Sequence, residues 1–140
     1  MSKYPGPVPV PTPESRPFWA AARRHVLELP FCRACGKAHY YPRALCPHCL
    51  SLDLEWRPVS GKGVLHTFTV VHRGQKDFPL GTPYIMAVVE LAEGPRMMTN
   101  LVGLAPDAPA LRIGLPVEVV FEDVSEDIAL PHFRPAGGAR

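Results

Sequence analysis

All four cysteines of this 140-residue chain lie between positions 32 and 49, as two Cys-x-x-Cys pairs: Cys32-Arg33-Ala34-Cys35 and Cys46-Pro47-His48-Cys49. Two intervening residues let a tight turn aim both sulfurs of a pair at one point, so each pair can grip one edge of a metal ion. Together they supply four thiolates, the closed tetrahedral shell of structural zinc, which leaves no position for water or substrate. The short separation of the pairs suits a zinc ribbon over residues 31–50, with each pair on the knuckle of a hairpin. Other uses of the cysteines explain less. Disulfides want an oxidising compartment, and residues 1–10 lack the charged start and apolar run of an export leader. A redox Cys-x-x-Cys ordinarily occurs once and opens a helix, whereas here it is doubled. Iron in the same thiolate shell stays open beside zinc. His48, inside the second knuckle, reads as a solvated loop residue because four sulfurs already fill the shell.

The remaining length supports one compact domain plus a small appendage. No stretch reaches membrane-spanning length. Eighteen prolines disfavour long helices and point to short strands, turns and extended arms. The formal charge of +2 conceals a split: residues 1–76 hold eleven Lys/Arg against four Asp/Glu, and residues 77–140 hold four against nine. If the halves are segregated in space, one face meets anions and the other does not.

Taken in order, Tyr4 to Pro13 carries a proline at nearly every second position and is expected to be extended, either a free tail or an arm laid across a partner. Pro17 suits the first turn of a helix. Phe18, Ala21, Ala22, His25, Val26 and Leu29 then recur at helical spacing up to Pro30, which is expected to stop it. Beyond the ribbon, Leu52, Leu54 and Trp56 alternate with charged residues as in a strand. Ser60-Gly61-Lys62-Gly63 is read as a turn or bulge, since it lacks the third glycine and following helix of a phosphate loop. Strands are expected over 64–72, 84–91, 96–102, 116–124 and 128–133. Tyr84–Leu91 is apolar enough to suggest burial on both faces. The connection 103–114 has room for one helical turn. The predicted fold is all-β with a short N-terminal helix: a zinc ribbon followed by a five- to six-stranded OB-fold barrel, with an SH3-like barrel as the alternative. The expected organisation is an arm and helix over 1–30, the ribbon over 31–50, the OB-fold over 51–135 and a flexible tail over 136–140.

No catalytic constellation stands out. A Gly-x-Ser-x-Gly elbow is absent and the cysteines belong to the metal, so a covalent nucleophile has no candidate. His66 and His72 share the parity of Val64, Phe68 and Val70, and His66 reads as a hydrogen-bonded barrel residue. Glu90 is placed to pair with Arg96 across a turn. A ribbon joined to an OB-fold also suits single-stranded nucleic acid, which is the alternative function. The barrel strands, however, carry few Lys/Arg and the second half is acidic, which argues against it.

The order of these parts resembles a known family. The Pro17-Phe18-Trp19 helix start, the Cys-x-x-Cys-Gly knuckle, Tyr41-Pro42-Arg43 before Cys46-Pro47-x-Cys49, Ser60-Gly61-x-Gly63, Pro83-Tyr84, Ile113-Gly114-x-Pro116-Val117 and Phe133-Arg134-Pro135 are similar to the acyl-CoA-associated OB-fold family with an N-terminal rubredoxin-like zinc ribbon. The resemblance covers nearly the whole chain. It implies a cytoplasmic, non-catalytic accessory subunit of acyl-CoA metabolism. Implied partners are thiolase-like, hydroxymethylglutaryl-CoA synthase-like, enoyl-CoA hydratase or aldolase subunits that carry the reactive groups. The metal ligands would be Cys32, Cys35, Cys46 and Cys49. Arg43, Lys62, Arg73 and Lys76 are the cations it offers to the phosphates of CoA, and activity is expected only with a partner.

Overall fold

The computed structural model describes residues 4–74 and 78–136. Its main body is a closed barrel of five strands: β3 (Lys62–Val71), β4 (Tyr84–Leu91), β5 (Arg96–Leu101), β6 (Pro116–Asp123) and β7 (Ala129–Pro135). Their order round the barrel is β3-β4-β5-β7-β6, and β6 returns to β3 through Lys62↔Glu118 and Val64↔Pro116. All pairings are antiparallel except β5 with β7, which run parallel at Leu101↔Phe133. The five-stranded barrel is thus of the OB kind. Two further strands, β1 (Glu28–Cys32) and β2 (Leu54–Pro58), form a separate antiparallel pair that carries the cysteine knuckles.

Alternation along the barrel strands builds the interior. Leu65, Val89, Met97, Val117 and Phe133 are fully buried, each from a different strand. Closing the sheet on itself leaves no barrel edge open, so the inward positions of five short strands make one continuous core. The end of that core is covered by α1 (Arg16–Arg23), whose Phe18, Trp19, Ala21 and Ala22 are buried against β1 and β7. The aromatic start of the helix is therefore core.

The helix is shorter than its apolar spacing predicts. It stops at Arg23 because His25 turns left-handed (φ 62°), with the His25 N–H donating to the Ala22 carbonyl and the Val26 N–H to the Ala21 carbonyl. This is a Schellman ending with histidine where glycine is usual. Contacts across the fold hold His25 there: Nε2 lies 2.9 Å from Asp123 Oδ1, and the ring stacks on Phe121 at 5.3 Å. The His25 hydrogen bond, with the charges of His25 and Arg23, holds the Asp123 carboxyl below its usual range. Pro30, expected to end the helix, sits inside β1. A two-stranded sheet is all edge, so the missing N–H costs little there, and the Pro30 carbonyl accepts from the His39 N–H.

Other expectations are corrected in the same way. Tyr84–Leu91 is not buried on both faces: Ile85, Ala87, Val89 and Leu91 point in, whereas Met86 is exposed. The register of β3 slips between Leu65 and Thr67, so His66 sits in a bulge and parity breaks across it. Val64 consequently faces solvent while Phe68 packs on the core. The 103–114 connection consists of turns without a helix. The proline arm lies back on its own chain, with Tyr4 and Val8 against the core and Gly6 against Pro79. Of the expected tail, 137–140 lies outside the described residues.

The Gly61-x-Gly63 motif has a packing explanation. A Cβ at Gly63 would run into the carbonyl oxygen of Glu90 on the neighbouring strand. Only backbone movement of a core pair relieves that overlap. Gly63→Ala is expected to lower stability by about 1–3 kcal/mol, the usual cost of overpacking, measured by denaturant unfolding against the parent chain.

Candidate metal centre and adjoining groove

The two knuckles repeat one geometry. In the first, the Gly36 N–H donates to the Cys32 carbonyl at 2.8 Å, and in the second the Leu50 N–H donates to Cys46 at 2.8 Å. The residue after each pair is left-handed, Gly36 at φ 78° and Leu50 at φ 68°. Backbone N–H groups also face the sulfurs, Cys35 N toward Cys32 Sγ at 3.5 Å and His48 N toward Cys46 Sγ at 3.3 Å. The four Sγ atoms lie within 4.8 Å of one another. Cys32 and Cys49 are 3.6 Å apart and Cys35 and Cys46 are 3.7 Å apart. Ligands 2.3 Å from a tetrahedral zinc are about 3.8 Å from each other, so the sulfurs stand at metal-shell spacing. Cys32, Cys35, Cys46 and Cys49 are positioned to bind one metal ion and suit structural zinc. His48 is exposed on the loop, as expected.

With no metal charge present, protons are shared unevenly among the sulfurs. The Cys35 N–H, helped by other donors, lowers the Cys32 thiol to about 7. At Cys49 the Ser51 N–H favours the thiolate, but Cys32 and burial outweigh it and push the thiol up to about 12. A dication that takes all four as thiolates must displace those protons, so metal uptake is coupled to proton release.

Between the knuckles and the β4–β5 turn lies a groove of about 630 Å³. Its ribbon side is formed by Lys37, His39 and Arg43, and its barrel side by Glu90, Glu93 and Arg96. Arg96 Nε donates to Glu90 Oε1 at 3.4 Å, as predicted across the turn, and Glu93 accepts the Ser60 N–H at 2.9 Å. His39 is 4% exposed, and neither ring nitrogen has a hydrogen-bond partner among the described residues. Burial, with the charges of His48 and Arg43, lowers its pKa and keeps the ring neutral. A buried polar group left unpaired typically costs about 1–3 kcal/mol.

The four cations offered to CoA are not gathered in one place. Arg43 lines the groove and is exposed. Lys62 and Arg73, both exposed, sit near opposite ends of β3, on the order of 30 Å apart at strand rise, and neither lines the groove. Lys76 lies outside the described residues. Sequence reasoning missed Lys37 and His39 because nothing in their spacing marks them. Their setting depends on a hairpin some fifty residues further along the chain.

Comparison with known proteins places this geometry. The rubredoxin-like zinc ribbon domain of ChsH2 matches residues 19–55, and the C-terminal OB-fold domain of ChsH2 matches residues 56–122. A probable enoyl-CoA hydratase alpha subunit of Thermomonospora curvata is 38% identical over 120 residues, covering 85% of this chain and 37% of the relative. The chain thus spans little more than a third of that relative's length. A DUF35 domain-containing scaffold protein of Methanocaldococcus jannaschii is 38% identical over 97 residues, covering 69% of this chain and 67% of the relative. Among solved structures, a chain of an Ltp2-ChsH2(DUF35) aldolase superposes with a TM-score of 0.80 at 36% identity, covering 91% of this chain and 98% of that one.

Two outcomes check the centre. The protein is expected to carry one metal equivalent, and its affinity should fall steadily as pH drops, because the raised thiols compete for protons from well above neutrality, and more steeply below about 7, where Cys32 takes up a proton too; a competition titration with a chromophoric chelator measures both. Gly36→Ala is expected to cost about 1–2 kcal/mol through backbone strain alone, because a Cβ there meets nothing within 4 Å. Thermal unfolding of the metal-loaded variant reads that cost.

Proposed function

We propose, from the premise that this chain belongs to the DUF35 scaffold family, with the ChsH2 rubredoxin-like zinc ribbon and OB-fold, that it is a non-catalytic accessory subunit of an acyl-CoA-processing complex. The partner in this reading is a thiolase-like, aldolase or enoyl-CoA hydratase enzyme that supplies the reactive groups. The observation that carries it is the likeness, over 98% of the neighbour's length, to a chain of the Ltp2-ChsH2(DUF35) aldolase. The hydratase alpha-subunit relative supports the same class of partner.

The physical features agree with that role. A four-sulfur shell is closed to substrate, and the barrel interior is filled by side chains, so the chain offers a partner its surface. One part of that surface is apolar. Met86, Val88 and Met98 share the outer face of β4 and β5, with Val88 directly opposite Met98, and Met98 is 65% exposed. Methionine-rich faces adapt to the shapes they meet. In the proposed assembly this face docks on the enzyme, and Arg43, the member of the four predicted cations that lines the groove, is the one offered to the phosphates of acyl-CoA. Four free cysteines suit a reducing compartment, and the reading places the complex in the cytoplasm. No helix among the described residues is long and apolar enough to cross a membrane.

Co-expression with a thiolase-like, aldolase or hydratase open reading frame encoded beside this one is the direct test. A stable complex that turns over acyl-CoA, with no turnover by this chain alone, is expected; failure of every such neighbour to co-purify overturns the reading. Met86→Lys with Met98→Lys is expected to weaken the complex by about tenfold or more and to leave metal content and the β-structure spectrum unchanged.

A further inference from the structure

The four sulfurs that converge on the metal position are not alike. Cys32 and Cys46 are fully buried, Cys35 is half-buried and Cys49 is exposed. Backbone donors divide them in the same way. The N–H groups of Ala34 and Cys35 face the Cys32 sulfur, and those of His48 and Cys49 face Cys46. Cys35 has one such donor, the Lys37 N–H, and Cys49 has one, the Ser51 N–H. A donor that stabilises a thiolate lowers its nucleophilicity together with its basicity. Cys49 therefore combines the widest access with a single donor, whereas Cys35 shares the donor count without the access.

We propose that Cys49 is a modification site for hydroperoxides, with Cys32 as its resolving partner, so that the shell opens at the second knuckle. A coordinated thiol is deprotonated outright, which makes a metal-held Cys49 the nucleophilic form already. Its sulfur attacks one peroxide oxygen: an S–O bond forms, the O–O bond breaks and hydroxide leaves, giving the sulfenic acid on Cys49. The Cys32 thiolate, with its Sγ 3.6 Å from that of Cys49, then attacks the sulfenic sulfur. An S–S bond forms, the S–O bond breaks and a second hydroxide leaves, so two thiolates lose two electrons and the peroxide gains them. The crosslink removes two ligands at once, and Cys35 with Cys46 cannot close a shell alone. That second pair is spaced alike, at 3.7 Å, but joins a half-buried sulfur to a fully buried one and reacts later. Little packing holds the second knuckle once its ligands are lost, since Leu45, Leu50 and Leu52 are all exposed.

The test treats the metal-loaded full chain with hydrogen peroxide, follows metal release with a chromophoric chelator and maps the cysteine peptides by mass spectrometry. One Cys32–Cys49 crosslink per metal released is expected, ahead of any Cys35–Cys46 crosslink, and a maleimide added below one equivalent labels Cys49 first. Cys49→His keeps a fourth ligand while removing the accessible sulfur, and is expected to release metal to peroxide at least about tenfold more slowly. Should that variant hold no metal, the peptide map of the parent chain decides, because it needs no substitution. First modification at another cysteine, a crosslink within one knuckle, metal release without loss of cysteine, or release from Cys49→His at the parent rate overturns the proposal. The isolated chain suffices, so the outcome does not depend on a partner enzyme.

Discussion

The convergence of four sulfurs fixes everything on the N-terminal side of the barrel. The ribbon has little apolar interior of its own. Leu29, Pro30, Cys32, Ala38 and Cys46 are its buried small and medium side chains, and the second knuckle from Leu45 to Leu52 is almost wholly exposed apart from Cys46. Segments of that size cannot repay their chain entropy by burial. Two backbone hydrogen bonds per knuckle and the exposed pairs Arg33–Asp53 and Arg33–Glu55 add little, since solvent screens them. A metal held by both knuckles converts two loops into one rigid corner. Leu50, strained at φ 68° with its side chain in water, fits that view: the ring of four ligands holds a backbone that no packing would.

From that corner, order passes to the barrel through α1. Phe18 touches Trp19, Tyr40 and Tyr41, with ring centroids 4.9, 5.8 and 6.2 Å away, so one helix turn meets the segment between the knuckles. The far end of the helix is tied to β6 by His25 and Arg23 on Asp123, and the Val59 N–H reaches the Leu27 carbonyl where β2 leaves the ribbon. Ribbon, helix and barrel therefore share one core. A groove walled by two of them keeps its shape only because the third braces both.

Much of this architecture was legible because its signals are local. Doubled Cys-x-x-Cys pairs state a metal shell without any tertiary information, and β4 to β7 stand out as short runs bounded by turn residues. Errors arose where a local signal was ambiguous or cancelled. Leu29 continues the helical spacing of α1 by coincidence, since it is buried from the extended chain of β1. His25 ends the helix in a conformation that only its contacts with Asp123 and Phe121 justify. Pro30 argued against a strand there, yet it is tolerated because both strands of a two-stranded sheet are edges. One bulged residue, His66, put Val64 and Phe68, read as sharing a face, on opposite faces. The groove was hidden for a different reason: its walls, at 36–48 and 90–96, lie some fifty residues apart in the chain and meet only in the fold.

The charge split between the halves of the chain is only partly absorbed by ion pairs. In the acidic second half Glu118 pairs with Arg134, Asp123 with Arg23 and Glu90 with Arg96, whereas the carboxylates of Glu93, Asp107, Glu126 and Asp127 face no cation among the described residues. In the basic first half, Arg33 and Arg57 are absorbed by Asp53 and Glu55, but Lys37 and Arg43 are not. Unpaired cations of that half stand both at the groove, as Lys37 and Arg43, and away from it, as Arg16, Lys62 and Arg73, so the excess positive charge is spread over the surface. A metal held by the four sulfurs would also brace the connection from Lys37 to Arg43, which joins its two pairs of ligands and forms the ribbon wall of the groove.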